Sequence, residues 1–376
     1  MANPFQKLID ASKGIFSSSS SESAVGIDIG TSAIKVVQIK KKAGRAVLET
    51  YGAVSLGPYA GIDIGRVTNL NEEKIIEALK EVIKQSGVTT ISSALAIPSQ
   101  SSLVFSFELP SQVKESDMAS IVPTEARKYI PVPMSEVTLD WFLLPKKQPS
   151  FEEENNPNIP IVQEQNNEVL VVAIQNEAVS KYSTIMNQSG LDASFFELEI
   201  FSSIRSNFEH ELSPVLILDF GASKTKLSIV EFGSVKSFHT ITRGSADITE
   251  SISKSLDITF GKAEEMKKEF GLFGNGAEKS LTDIIKIHTD YLFSETNSVL
   301  LNYEKKYNKA ISKVILTGGG SLLKGFKEVA ISNFPTQVEM GNPFSKVDAP
   351  VFLEKVLEST GPEFAVALGL ALRKLQ

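Results

Sequence analysis

Two distant stretches of this chain carry one pattern. Residues 25–39 read VGIDIGTSAIKVVQI and residues 216–230 read LILDFGASKTKLSIV. Aligned, Asp28 meets Asp219, Gly30 meets Gly221, Ser32 meets Ser223 and Lys35 meets Lys226. Each copy is an apolar strand, an Asp-x-Gly turn with small polar residues, and a second apolar strand. A unit repeated so far apart implies two similar half-structures in one chain.

The turns suit phosphate. Glycine lets the backbone approach a ligand closely, and the small polar residues offer N–H and hydroxyl donors in a tight anion nest. Thr31, Ser32 and Ser223 add side-chain donors. Aspartates repel phosphate, so Asp28 and Asp219 make sense if a hydrated Mg2+ stands between them and the ligand, since Mg2+ keeps its waters and takes carboxylates together with phosphate oxygens. The structural alternative, a hairpin turn closed by Asp and Gly, explains either copy alone but explains a matched pair less well. A third turn, LTGGGSLLKGF over 316–326, leaves a strand for a helix expected to begin near Ser321. A helix N-terminus there suits an α-phosphate or ribose.

Composition narrows the classes. At 376 residues, 42% hydrophobic and 22% charged, the chain is long enough for two or more domains. With no cysteine, disulfides and thiolate metal sites are excluded. His210, His239 and His288 are scattered and read as surface or helix-end residues rather than ligands. A net charge of −7 argues against nucleic acid. No apolar run reaches the roughly 20 residues of a transmembrane segment, and no signal peptide leads the chain, so a cytoplasmic protein is expected. The tail, residues 1–23, ends in the polar tether SSSSSES. Before it Phe5, Leu8, Ile9 and Phe16 have rough helical spacing, fitting a docking or membrane-surface helix or a frayed end alike.

From Ala24 the pattern is α/β. Strands and an amphipathic helix with Asn71 as N-cap and Gly87 as stop fill 24–100. Residues 101–190 have another texture, β-α-β-β-α, and read as an insertion. It contains a polar separator, 148–168, with five glutamates, five asparagines and three prolines, expected to be a solvated loop. The first half resumes over 191–213. A second half spans 214–360, helical over about 257–310, and 361–376 is an apolar closing helix packed on the first half.

On these turns the chain resembles the actin-like ATPase superfamily. DIGTS is similar to its first phosphate motif, DFGASKT to its second and TGGGSLLKGF to its adenosine motif. The resemblance implies two RNase-H-like domains around a nucleotide cleft. The insert resembles that of the FtsA-like branch, and three stretches resemble its PilM family of type IV pilus assembly: VGIDIGTSAIKVVQI, ARKYIPVPMSEVTLDWFLL and FFELEIFSSIRS. The closing helix runs to Leu375 and Gln376, and a C-terminal membrane helix of the FtsA kind is not expected.

The resemblance implies ATP or ADP with Mg2+ in the cleft. Asp28, Glu199 and Asp219 would be the catalytic carboxylates, with Asp28 and Asp219 holding the metal through water. Glu199 is equally an ordinary carboxylate at a helix N-terminus. Gly30, Thr31, Ser32, Lys35, Gly221, Ala222, Ser223 and Lys224 would hold phosphates. Gly318, Gly319, Gly320 and Ser321 would hold the adenosine, with Glu264 and Lys267 reaching the ribose or base. Lys226 stands where several relatives carry a further acidic residue, so slow or absent hydrolysis is expected. The family docks beneath the inner membrane by gripping the N-terminal peptide of a bitopic PilN-like partner. Phe105, Phe107, Tyr129, Ile130 and Trp141 of the insert are groove candidates; any of them would equally serve as core. The pilus assembly motor ATPase and further copies of the chain are additional partners to consider. An FtsA-like division filament and a small-molecule kinase are the alternative functions.

Overall fold

The computed structural model describes residues 23–144, 166–209, 211 and 213–375. The readings on Phe5, Leu8, Ile9, Phe16, His210 and nearly all of the polar separator lie outside them. Asn167 and Glu168, read as part of that separator, instead open a strand.

The chain begins with strands β1 (Ser23–Ile29), β2 (Ala33–Lys42) and β3 (Arg45–Ser55), then helix α1 (Glu72–Ser86) and strand β4 (Ser92–Ile97). The α1 ends are where the sequence puts them. Asn71 accepts a hydrogen bond from the Lys74 amide at 3.0 Å, and Gly87 closes the helix in a left-handed conformation. The inserted module follows: β5 (Ser102–Leu109), α2 (Glu115–Ala126), β6 (Val137–Leu143), β7 (Asn167–Gln175) and α3 (Asn176–Gln188). Then β8 (Asp192–Leu198) leads directly into α4 (Glu199–Asn207). The first sheet has the order β3-β2-β1-β4-β8, antiparallel across its first three strands and parallel thereafter. The module's own sheet is antiparallel, β5-β7-β6. Its two faces pack differently. Phe107, Val169, Val171 and Ala173 lie against α2, whereas Leu170, Val172 and Ile174 join the core of the first half. Helix α3 turns back onto that same core through Ala178, Tyr182, Ile185 and Met186, so the chain rejoins the first half before residue 190.

The second half repeats the first. Strands β9 (Val215–Phe220), β10 (Thr225–Glu231) and β11 (Ser234–Ile241) are followed by helices α5 (Ser245–Leu256), α6 (Phe260–Phe270) and α7 (Lys279–Tyr307). Strand β12 (Lys313–Thr317), α8 (Phe326–Asn333), β13 (Gln337–Met340) and α9 (Glu354–Thr360) complete it. Its sheet order, β11-β10-β9-β12-β13, matches the first strand for strand. The last helix, α10 (Ala365–Leu375), returns to the first half. It lies on bare backbone: a Cβ on Gly26 of β1 would stand 1.9 Å from the Ala367 carbonyl oxygen. The helix itself approaches α4 as closely, since a Cβ on Gly369 would stand 1.9 Å from the Ser202 oxygen. Beside this contact Glu197, 1% exposed, accepts from Arg205 at 2.6 and 2.7 Å and from the Ser202 hydroxyl at 2.5 Å, and it pairs with Arg373 of α10.

Candidate nucleotide cleft

Each Asp-x-Gly strand ends in the same turn. The Gly30 amide donates to the Ala33 carbonyl at 3.0 Å, and the Gly221 amide donates to the Lys224 carbonyl at 3.0 Å. Across each hairpin the aspartate faces a lysine in register, Asp28 opposite Lys35 and Asp219 opposite Lys226. The two turns meet: the Thr31 hydroxyl donates to the Ser223 hydroxyl at 3.2 Å across the boundary between the halves. Around that contact lies a cleft of about 350 Å3, within the usual size of a small-ligand site.

Of the residues singled out from the sequence, Asp28, Gly30, Thr31, Ser32, Lys35, Glu199, Asp219, Gly221, Ala222, Ser223, Lys224, Glu264, Gly318, Gly319 and Gly320 line this cleft. Two do not. Ser321 is buried behind the glycines, its hydroxyl donating to the Gly318 carbonyl at 2.7 Å. Lys267 points into α5, donating to the Ser245 carbonyl at 3.0 Å and the Thr249 hydroxyl at 2.7 Å and pairing with Glu264 at 2.7 Å. Burial pulls its amine below the ordinary value, with Glu264 opposing. Lys268, one residue on, reaches the cleft and pairs with Glu264 at 3.2 Å.

The expected helix start at Ser321 is corrected. Gly318 has φ +82°, residues Gly319–Leu322 form a single 3-10 turn, and Gly325 at φ +81° restarts the chain into α8 at Phe326. The glycine turn therefore offers bare backbone but no α-helix N-terminus to the cleft.

The floor is charged. Lys226 pairs with Glu199 at 2.7 Å and with Asp219 at 3.6 Å. The other Glu199 oxygen accepts from the Ser99 amide at 2.7 Å and hydroxyl at 2.8 Å. Burial pushes the Glu199 carboxyl up, but Lys226 and Ser99 outweigh it and hold it below the carboxylate range. Asp28 differs. Among the described residues no hydrogen bond or ion pair engages its carboxylate, and burial pushes it up to about 6, with Glu199 and Asp219 adding to the effect and Lys35 and Lys226 opposing it. Burial, then Glu199 and Asp28, push Tyr182 on the same wall up to about 12.

These carboxylates fit Mg2+ unequally. Asp28 is free to receive a hydrated metal beside phosphate oxygens. Asp219 already faces the Lys226 ammonium, and no group of three or more acidic or histidine side chains among the described residues could hold a metal unaided.

An acid held above its ordinary value keeps its proton better in the folded state, so stability falls as pH rises from about 4 to about 6. Asp28→Asn removes that cost. We expect the variant to be more stable than the wild type at pH 7.5 by about 1–2 kcal/mol, after allowance for the cleft's open side. The difference shrinks towards pH 4, as thermal melts across pH will show. A turn-closing aspartate would give the opposite sign, loss on substitution.

The sequence reading missed Ser99, Tyr182, Lys181, Thr68, Gly65, Ser245, Lys268 and Glu363, all of which line the cleft. Ser99 had a signal, since it follows β4 at the carboxyl end of a parallel strand, where α/β folds bind ligands. Gly65 belongs to a strap, residues 56–71, that crosses between the halves. Thr68 donates to the Thr31 carbonyl at 2.8 Å through its amide, while Arg66 pairs with Glu250 at 3.2 Å and lies 4.3 Å above the Phe260 ring.

Of the insert residues, Phe107 and Ile130 are core, Phe105 and Trp141 are partly buried, and Tyr129 is 52% exposed. Phe105, Phe107, Ile130 and Trp141 collect on the α2 side of the small sheet, away from the junction with the first half. Tyr129 stacks on Phe107 at 5.7 Å and lies 5.1 Å from Phe105.

Two matching α/β halves around a cleft, each closing it with an Asp-x-Gly hairpin, define an actin-like ATPase fold with an FtsA-type insert. The sequence profile of type IV pilus assembly protein PilM matches residues 26–375, and the chain belongs to that family. Among solved structures, it is similar to a PilM-PilN type IV pilus biogenesis complex, with TM-score 0.77 and 24% identity over 95% of this chain and 100% of that one. It also shares its fold with the ethanolamine utilization protein EutJ from Carboxydothermus hydrogenoformans, with TM-score 0.54 and 15% identity over 93% and 89% of the two chains. Cell division protein FtsA of Helicobacter pylori (strain 26695) is 26% identical over 232 residues, 54% of this chain. That match spans under half of the relative, 46% of its length. Among the described residues no helix is long and apolar enough to cross a membrane.

Proposed function

We propose that the protein is an ATP-binding scaffold of a type IV pilus assembly platform. It acts at the cytoplasmic face of the inner membrane and holds the N-terminal peptide of a PilN-like membrane protein. One observation carries the nucleotide part: the equivalent turns of the two halves, Thr31 and Ser223, meet at 3.2 Å with the Gly318–Gly320 turn beside them. Three donor-rich turns converging from both halves suit a polyphosphate that ties the halves together. Gly30, Thr31, Ser32, Gly221, Ala222 and Ser223 would take the phosphates. Lys35 and Lys224 would supply positive charge. Glu264, Lys268 and Gly65 would flank the sugar or base. Mg2+ carried in with the phosphates would stand beside Asp28, since Asp219 already faces Lys226.

Family membership and the likeness to a PilM-PilN complex support the peptide partner. Tyr129 is the candidate that combines aromatic area with exposure, beside Phe105 and Phe107, and extended peptides use aromatic pockets for specificity. Fluorescence anisotropy with a labelled peptide from the cytoplasmic N-terminus of the PilN-like protein tests this. Micromolar binding that weakens about tenfold in Tyr129→Ala is expected, the loss of one aromatic anchor. No binding by the folded protein, with or without ATP, would overturn the scaffold reading.

A further inference from the structure

Lys226 is placed where a nucleotide site of this shape would otherwise need an external cation. It stands on β10, opposite Asp219 in register, with its side chain 15% exposed at the floor of the cleft. Its ammonium lies 2.7 Å from Glu199 Oε2 and 3.6 Å from Asp219 Oδ2. The second Glu199 oxygen is filled by Ser99, so this carboxylate is saturated by the protein itself. The Asp219 carboxylate is packed as tightly: a Cβ on Gly318 would come within 2.3 Å of its Oδ1. One oxygen of Asp219 is thus walled by the glycine turn and the other faces a fixed positive charge. A divalent ion brought to Asp219 would meet that like charge in a partly dehydrated site, where repulsion is poorly screened.

We propose that Lys226 is a resident cation that stands in for a divalent metal at the second-half carboxylate, so that this cleft binds ATP without requiring Mg2+. The inference rests on the nucleotide reading above. It assigns Lys226 as the residue that determines metal dependence. Compact and triply donating, the ammonium orients Glu199 and Asp219 as a bound ion would. It also keeps Glu199 in an ion pair rather than available to a water.

The test compares ATP affinity of the full chain in Mg2+ and in EDTA by calorimetry, for the wild type and Lys226→Met. For the wild type the dissociation constant should change by less than about threefold between the two buffers. For the variant, which bares two carboxylates beside the phosphates, EDTA should weaken binding by at least about thirtyfold, with Mg2+ restoring it. A second readout uses the metal alone. In nucleotide-free thermal melts, Mg2+ should raise the Tm of Lys226→Met and leave the wild type unmoved, because only a ligand bound to the folded state stabilises it. Should the variant not fold, the wild-type comparison decides by itself. Loss of wild-type binding in EDTA by more than about tenfold overturns the proposal, as does metal-independent binding by a folded Lys226→Met. Absence of ATP binding by the wild type in both buffers is a different failure, that of the nucleotide reading.

Discussion

Glu197→Ala is expected to destabilise the protein by about 3–5 kcal/mol, the cost of breaking a buried ion pair by removing one partner. The carboxylate is 1% exposed and serves three elements at once: its own β8, Arg205 and Ser202 of α4, and Arg373 of α10. Truncation takes one carboxylate from the Arg373 side chain, which is 4% exposed with its guanidinium 4.6 Å above the Phe195 ring. The lost contact is one of several that hold α10 on the first half. The melting temperature should fall on the order of 10 °C. The pH dependence follows. Burial pushes the Glu197 carboxyl up, but Arg205, Arg373 and Ser202 outweigh it and hold it below its ordinary value. Its contribution is therefore full above the unfolded-state value near 4.3 and is lost as pH falls through the lower folded value. Wild type and variant should converge in acid. A loss below about 1 kcal/mol at neutral pH, the range of exposed pairs, would mean that the cluster is no anchor.

Gly318→Ala should weaken ATP binding by at least about a hundredfold, some 2.7 kcal/mol. Two effects combine. A non-glycine residue at φ +82° costs about 1–2 kcal/mol. Its Cβ would also lie 2.3 Å from Asp219 Oδ1 and 2.7 Å from the Phe220 oxygen, forcing the third turn away from the second. Gly276→Ala separates the effects, because Gly276 has φ +63° with nothing within 4 Å of its would-be Cβ. It should lose stability and keep full ATP affinity. Equal affinity in the two variants would show that the contact with Asp219 is irrelevant to the ligand.

The fold was legible where the sequence repeats itself. The two Asp-x-Gly hairpins are set by local chemistry, strand periodicity and a turn that glycine permits, so aligning them located both halves and most of the cleft. Legibility ended where neighbours in space decide. Residues 61–65 read Gly-Ile-Asp-Ile-Gly, the same five letters as 26–30, yet form strap rather than strand. The apolar residues of the first copy are covered by α10 and β4, whereas Ile62 and Ile64 are 39% and 56% exposed. Lys267 and Lys268 differ by one step on a helix, and that rotation sends one into α5 and the other to the cleft. Lys226 stood out as a departure from related turns. Its pairing with Glu199 needed the sheet register and α4 in place to be seen. The insert aromatics show the same limit, since alternation marks a face but not what covers it.

The account stands on two turns sharing one nucleotide. The most direct test is a calorimetric titration of ATP into the wild type and into Gly30→Val and Gly221→Val, with folding verified by circular dichroism. Each variant would put a branched side chain on the surface that phosphate must approach, one from each half. One saturable site in the wild type, abolished by either change, is the predicted result. A folded wild type that takes up no ATP, or binding that survives the change in either turn, would contradict it.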